Sequence, residues 1–208
     1  MLWYALISFV VSLISVFFIR RSFRRHAQRY SENAPQRFHH GAIPRLAGPG
    51  IFLGWLAGLT LATIIDPRLA EQPGSMMTYG SICLVVLMVV SIGTVEDYTQ
   101  QVSPRWRLAF TAIAAAAAIF WLKLTVPQLD IALLDVFWQQ WPALGMLLAL
   151  LGLVGLTHAF NLIDGYNGLA GLVAVLIALS YAYVSFKLGD RQLFVISICV
   201  IAATAGFL

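Results

Sequence analysis

Long apolar segments alternate with short polar stretches along the whole chain. A helix rises 1.5 Å per residue, so about 20 apolar residues are needed to cross the hydrocarbon core of a bilayer. Seven segments of roughly this length contain no Asp, Glu, Lys or Arg: 1–19, 46–65, 76–95, 108–122, 142–160, 169–186 and 192–208. The pattern predicts an all-α integral membrane protein, a polytopic helical bundle with about seven transmembrane helices in a single domain.

The composition supports the same class. Hydrophobic residues make up 60% of the chain and charged residues only 11%, whereas a water-soluble domain carries about 25% charged residues. The two cysteines, Cys83 and Cys199, lie inside apolar segments. They therefore indicate neither a disulfide framework nor a metal site.

Basic residues are concentrated in one polar stretch. Residues 20–45 hold seven of the thirteen Lys and Arg residues, so the net charge of +4 does not indicate a nucleic-acid partner. By the positive-inside rule this basic loop is cytoplasmic and the N-terminus lies outside. Alternation of the spans then places Glu96, Asp97 and Asp164 together on the cytoplasmic face.

Two smaller patterns indicate how the helices pack and where they meet the membrane surface. Gly50, Gly54 and Gly58 recur at every fourth residue, which is typical of close helix packing in lipid. The segment 136–141, in the outside connection after the fourth span, contains two tryptophans, Trp138 and Trp141. We expect this segment to lie at the headgroup level, where tryptophan is enriched.

The stretch 158–171 is unusually polar for a connection between two spans. Asn161 and Asp164 are three residues apart, which on a helical path would place them on neighbouring positions of one face. A carboxylate beside a bilayer-length segment is costly unless it has a partner or a function. One interpretation is a functional site with glycines that let backbone approach a ligand. The other is a polar turn between two membrane helices.

Three carboxylates on one membrane face, beside an arginine-rich loop, suit a particular chemistry. Mg²⁺ prefers oxygen ligands and keeps substrate phosphates in its coordination shell, and arginine recognises phosphate. Phosphoryl transfer needs this charge neutralisation together with a positioned nucleophile. Two other classes stay open: a transporter component, whose carboxylates would bind ions near the midplane, and an inactive membrane scaffold.

Three motifs make the hypothesis more specific. Residues 161–169, Asn-Leu-Ile-Asp-Gly-Tyr-Asn-Gly-Leu, resemble the signature of the polyprenyl-phosphate N-acetylhexosamine-1-phosphate transferases, glycosyltransferase family 4. Residues 44–48, Pro-Arg-Leu-Ala-Gly, resemble the first cytoplasmic motif of that family. Residues 93–97, Gly-Thr-Val-Glu-Asp, followed by Ser-Pro-Arg at 103–105, resemble its acidic-pair loop. The predicted cytoplasmic loops that carry these motifs are 20–45, 96–107 and 158–171.

The resemblance implies about ten or eleven membrane helices in the bacterial inner membrane, with the active site on the cytoplasmic face. It implies transfer of a sugar-1-phosphate from a UDP-N-acetylhexosamine to undecaprenyl phosphate, with release of UMP and with Mg²⁺, or alternatively Mn²⁺, as cofactor. This is the first membrane step of bacterial surface polysaccharide, lipopolysaccharide O-antigen or cell-wall synthesis. The amino sugar, the pathway, the oligomeric state and the choice between direct attack and an aspartyl intermediate stay open.

The resemblance also implies the site residues, position by position. Asp97 would position or deprotonate the lipid phosphate, with Glu96 assisting and Asp164 as a third catalytic carboxylate. Asp97 and Asp164 would be the metal ligands. The substrate-binding residues would be Asn161, Gly165, Asn167, Arg45 and His40.

The chain departs from the family pattern at several positions. Glu96 and Asn167 each stand where many members have Asp, and an amide at 167 can hydrogen-bond a base edge but brings no charge for a metal. His158 stands where Asn is common, and we interpret it as a polar helix-end residue. A further Asp motif of the family, with its main metal ligand, would begin just after residue 208. We therefore expect a fragment with an incomplete metal site and little or no activity alone.

Overall fold

The computed structural model describes residues 2–27, 46, 48–70, 75–99, 101–163 and 168–208, and the regular structure in these ranges is helical. The helices are α1 (Leu2–Ala27), α2 (Gly48–Ile65), α3 (Pro67–Ala70), α4 (Ser75–Thr99), α5 (Pro104–Leu122), α6 (Ala132–Gln140), α7 (Pro142–Ile163), α8 (Leu169–Leu188) and α9 (Arg191–Phe207). The predicted all-α class is confirmed.

Within the described ranges, six helices are long and apolar enough to cross a membrane: α1, α2, α4, α5, α7 and α8. The segment predicted as a seventh span forms α9, which is apolar but has 17 residues. That length is the lower end of the range of about 17–25 residues for a spanning helix. The chain thus folds as a polytopic helical membrane protein with six long spans and one shorter apolar helix in its described part.

Four helices continue beyond the C-terminal ends of the predicted spans. α1 ends at Ala27 instead of residue 19, α4 at Thr99 instead of 95, α7 at Ile163 instead of 160, and α8 at Leu188 instead of 186. The polar residues that follow each apolar run include no glycine or proline, so nothing in the backbone stops the helix where the apolar run stops. Glu96 and Asp97 consequently lie in the last turns of α4, and the predicted loop 96–107 is shorter.

Other helix ends follow from local chemistry. Pro104 opens α5, because proline lacks only the backbone N–H, which has no helical partner in the first turn. Gly168 (φ 76°) precedes α8 and Gly189 (φ 72°) follows it, both in the left-handed conformation that glycine adopts readily. Asp190 caps α9, since its Oδ1 accepts a hydrogen bond from the backbone N–H of Leu193 at 3.0 Å.

The glycine stripe of α2 packs directly on α1. The face of α1 that meets it is buried at every fourth residue: Tyr4, Ser8, Ser12 and Val16. A Cβ on Gly54 would lie 2.5 Å from the Ser8 carbonyl oxygen, and one on Gly50 would lie 2.7 Å from Cγ2 of Val16. A Cβ on Gly58 would overlap the Ser8 hydroxyl. The predicted close packing is confirmed, because backbones approach this closely only where no side chain separates them.

The main core lies where α1, α2, α4 and α9 meet. Its buried residues are Tyr4, Trp55, Leu59, Ala62, Leu69, Tyr79, Val195, Cys199 and Ala203. At one end of this core, Arg191 of α9 pairs with Asp66 after α2, with Arg191 Nε 2.5 Å from Asp66 Oδ2. Both cysteines are free thiols, and Cys199 is buried in this core. The ion pair therefore fastens the start of α9 to the end of α2.

A second row of helices, α4, α5 and α7, joins the core through the packing of α4 on α2. α5 contributes buried alanines, Ala114, Ala115 and Ala118, which allow its neighbours close access. α7 and α8 follow each other in sequence but make few mutual contacts. Most of their surface is apolar and exposed, which suits contact with lipid chains.

α6 lies at the end of the bundle that is far from Glu96 and Asp97. The interfacial segment predicted over 136–141 forms the helix Ala132–Gln140, with Trp141 directly after it. Trp141 is 64% exposed, whereas the indole N–H of Trp138 donates to the Val126 carbonyl at 2.7 Å. Trp138 thus holds the preceding connection in place, and the location of the segment in the interface stays a prediction.

Replacing Gly58 with alanine should destabilise the protein by about 1–3 kcal/mol, the usual cost of overpacking, because the new Cβ would overlap Ser8. A Cβ on Gly80 of α4 would meet nothing within 4 Å, so Gly80→Ala is the matched control and should be neutral or slightly stabilising. Thermal unfolding of the purified full-length protein in detergent measures both. Equal midpoints for the two variants would contradict the packing of α1 on α2.

Candidate functional site

The described candidate residues lie in the last turns of two helices that flank α5. Glu96 and Asp97 are half-buried at the end of α4, and Asn161 is exposed at the end of α7. α5 begins at this end of the bundle and packs against both α4 and α7. The other predicted site residues lie outside the described residues: His40, Arg45, Asp164, Gly165 and Asn167.

An ion pair joins the end of α4 to the start of α5. Nη1 of Arg107 lies 2.5 Å from Oε1 of Glu96, and both side chains are about three-quarters buried, with exposed fractions of 25% and 29%. The guanidinium of Arg107 therefore compensates the charge of Glu96.

A second polar contact joins α5 to α7. Oγ1 of Thr111 lies 3.1 Å from Nε2 of His158. The hydroxyl hydrogen of Thr111 is directed at the carbonyls of Arg107, at 2.9 Å, and Leu108, at 3.0 Å. With that hydrogen donated to a carbonyl, the hydroxyl oxygen is able to accept from His158 in the tautomer that carries its proton on Nε2. His158 lies one turn before Asn161 on α7 and holds that turn against α5.

Two apolar contacts complete this end of the bundle. The ring of Tyr98, beside Asp97, meets Phe23 of α1 edge-on, with ring centroids 6.2 Å apart. On the other side, a Cβ on Gly171 of α8 would lie 2.8 Å from Cδ2 of Leu208. Because Gly171 has no side chain, the end of α9 can pack against the start of α8. The sequence analysis had interpreted the glycines of this stretch as places where backbone approaches a ligand.

At this end of the bundle, the negative charge of Glu96 is compensated by Arg107. No group of three His, Cys, Asp or Glu side chains in the part of the chain that the structure describes could hold a metal ion. Carboxylate oxygens are the donors that Mg²⁺ prefers, and Arg107 already pairs with Glu96. A magnesium site here would therefore need oxygens beyond those of Glu96 and Asp97.

Sequence reasoning missed the polar edge of α5. Neither Arg107 nor Thr111 was predicted as a site residue, although they are four residues apart and share a helix face. That spacing was the available signal. The partners Glu96 and His158 could not be deduced from it, because they lie on two other helices.

The comparisons with known proteins agree with these motifs. The model of glycosyl transferase family 4 matches residues 79–208. The chain is 29% identical to the probable undecaprenyl-phosphate N-acetylglucosaminyl 1-phosphate transferase of Bacillus subtilis (strain 168), over 97% of the chain and 54% of that protein. It is 24% identical to the phospho-N-acetylmuramoyl-pentapeptide-transferase of Streptococcus agalactiae serotype Ia, over 86% of the chain and 55% of that protein. No solved structure matches the chain.

The chain spans about half the length of the curated relatives it matches. The family match begins at residue 79 and includes Glu96, Asp97, Asn161 and the polar edge of α5. It covers well over half of the chain, and the helical membrane architecture agrees with relatives that act on a polyprenyl lipid. The chain therefore belongs to glycosyl transferase family 4.

Proposed function

We propose that the full-length protein transfers an N-acetylhexosamine-1-phosphate from a UDP-linked donor to undecaprenyl phosphate and releases UMP. Family membership supports a glycosyl-phosphate transfer, and the name of the Bacillus subtilis relative specifies the lipid acceptor and an N-acetylglucosaminyl group. The observation that carries the proposal is the Glu96–Asp97 carboxylate pair at one end of a membrane bundle, beside the helix end that holds Asn161.

We propose that this end faces the cytoplasm of a bacterial inner membrane, with the N-terminus outside. The basic stretch 20–45 starts at the same end, because α1 finishes beside Tyr98, and basic loops remain on the cytoplasmic side. A UDP-sugar could then approach from the cytoplasm, while the phosphate of a lipid acceptor reaches the same surface from the bilayer. The transfer would begin a surface polysaccharide or cell-wall glycan.

The reaction exchanges one phosphoanhydride bond for another. An oxygen of the lipid phosphate forms a bond to the sugar-linked phosphorus, and the bond from that phosphorus to the bridging oxygen breaks, so that UMP leaves. Attack through a covalent aspartyl intermediate would give the same products in two steps. In either case a carboxylate must lie at the phosphate, and the surrounding charges must compensate the negative oxygens.

Asp97 is our candidate for direct contact with the reacting phosphates, because it closes the stretch 93–97 that resembles the acidic-pair loop of the family. Glu96 pairs with Arg107, and an ion pair that is three-quarters buried is costly to open. We assign Glu96 a positioning role, in which the pair with Arg107 fixes the last turn of α4. Asn161 would contact the nucleotide sugar, together with Gly165, Asn167, Arg45 and His40.

The donor set suits a hard cation in kind, since Asp97 and Asp164 supply carboxylate oxygens. These two residues would hold Mg²⁺, with Mn²⁺ as the alternative, and the bound ion would neutralise phosphate oxygens. Asp97 would still orient the acceptor, and its half-buried position at a helix end keeps it accessible to a phosphate.

The transporter alternative finds no support in the described helices. A transporter of this kind would carry ion-binding carboxylates near the bilayer midplane. The described Asp and Glu residues instead lie at helix ends, in connections or on α6: Asp66, Glu96, Asp97, Asp130, Asp135 and Asp190. An inactive scaffold would keep the fold without turnover, and an activity assay separates it from the transferase.

In membranes that contain the full-length protein, label should pass from UDP-N-acetylglucosamine to undecaprenyl phosphate, with release of UMP. EDTA should stop this transfer, and added Mg²⁺ should restore it. Asp97→Asn should lower the rate by at least about 100-fold, the usual contribution of a positioned acid or base. Thin-layer separation of labelled lipid and nucleotide measures each rate.

Asp130→Asn is the matched control for Asp97→Asn. Asp130 is exposed at the far end of the bundle. Its positive φ of 58° is one that asparagine tolerates well. The transfer rate of the Asp130→Asn variant should therefore equal that of the wild type. Label from another UDP-N-acetylhexosamine would change only the assigned sugar. Absence of transfer from every UDP-sugar tested, with folded protein present, would refute the proposed activity.

Glu96→Gln and Arg107→Gln should each lower the transfer rate on the order of tenfold, and the double variant should lose no more than either single variant. The reason is that both changes remove the same pair, and residues in one contact behave non-additively. Arg107→Lys should restore part of the rate. Independent, additive losses would mean that Glu96 acts on substrate directly.

A further inference from the structure

An apolar groove opens between α5 and α7 at the end of the bundle opposite the candidate site. Its volume is about 430 Å³, and its lining includes Ile119, Phe120, Lys123, Thr125, Met146 and Leu150. This volume lies within the range of about 300–1,000 Å³ that is typical of small-molecule sites. Between Ala116 and Lys123 the groove follows α5 for about 10 Å, at 1.5 Å per residue.

The groove is open to the side, toward the lipid. Phe120 is 77% exposed, and Met146 and Leu147 are each about half exposed. Both walls belong to helices long and apolar enough to cross the bilayer. In a membrane, an acyl chain can therefore enter this groove laterally without first crossing water, and the apolar lining favours it over headgroup atoms.

The rim of the groove is held in a fixed geometry. α5 ends at Leu122. The next residue, Lys123, has a left-handed backbone with φ 56°, and the chain then runs along the start of α7. The Val126 N–H donates to the Gly145 carbonyl at 3.2 Å, and the Val126 carbonyl accepts from Trp138. A Cβ on Gly145 would overlap this segment. Such preorganisation lowers the entropy cost of binding.

Lys123 places a positive charge at this rim. It is exposed, and none of the salt bridges found among the described residues involves it. A lysine beside an apolar groove extends its alkyl stem along the apolar surface and keeps the ammonium at the headgroup level. The Thr125 hydroxyl, also in the lining, adds a hydrogen-bond donor near the same point.

We propose that this groove binds an anionic glycerophospholipid, with one acyl chain between α5 and α7 and the phosphate on Lys123 and Thr125. The juxtaposition of a lateral apolar groove and a cation at the membrane surface carries the assignment. It does not depend on the transferase reaction, because the groove lies at the other end of the bundle. A zwitterionic lipid would fill the same groove but would gain less from Lys123.

Native mass spectrometry of the purified full-length protein tests this site. The protein is released from a neutral detergent and titrated with phosphatidylglycerol or with phosphatidylcholine of the same acyl chains. Wild-type protein should bind phosphatidylglycerol more tightly. Lys123→Gln should reduce that preference by about fivefold, the expected effect of one lysine near an anionic headgroup, and Ala116→Phe, which fills the groove, should weaken binding of both lipids.

Lys187→Gln is the matched control. Lys187 is exposed in the last turn of α8 at the same end of the bundle, with its Nζ 5.7 Å from the Tyr183 ring centroid. Its replacement should leave the preference unchanged. An equal loss in Lys187→Gln would mean general surface attraction, and an unchanged preference in Lys123→Gln would overturn the site. Unaltered lipid binding in Ala116→Phe would also overturn it, by showing that a second copy or another segment covers the groove.

Discussion

Helix α5 is held to both of its neighbours by polar side chains, and the geometry of the candidate site depends on these two contacts. Arg107 pairs with Glu96 of α4, and Thr111, one turn further on, shares a hydrogen bond with His158 of α7. Polar contacts between membrane helices add only modest stability, about 0.6 kcal/mol on average. Their larger effect is on the rotation of each helix about its own axis, because they fix which faces of α4 and α7 meet α5. Asp97 and Asn161 are positioned as a consequence.

The other half of the bundle supports this end mainly through close packing of its helices. α1 lies on the glycines of α2, and this close approach brings Phe23 at the end of α1 against Tyr98, beside Asp97. Leu208 of α9 reaches the start of α8 in a similar way, where Gly171 leaves space for it. Small residues in the membrane thus determine where the polar ends of the helices meet.

The sequence was sufficient to predict the class, the apolar spans and the glycine contact, because bilayer thickness and close helix packing each leave a direct pattern. It was insufficient for the helix ends. Apolar runs stop at the membrane surface, whereas α1 and α4 continue, so Glu96 and Asp97 proved to be helical. The sequence was also insufficient to predict the partners of Arg107 and His158, because these depend on how α4, α5 and α7 are rotated relative to one another. The predicted roles of Asp164, Gly165 and Asn167 rest on family resemblance alone.

Labelling of single cysteines tests most directly whether the polar helix ends share the cytoplasmic face. In a full-length variant lacking Cys83 and Cys199, cysteine would replace Thr99, Leu162 or Leu188; Leu162 and Leu188 are 70% and 78% exposed. A membrane-impermeant maleimide added to intact spheroplasts should label position 188 at once, and positions 99 and 162 only after permeabilisation. Labelling of 99 and 162 from opposite sides would contradict the shared site.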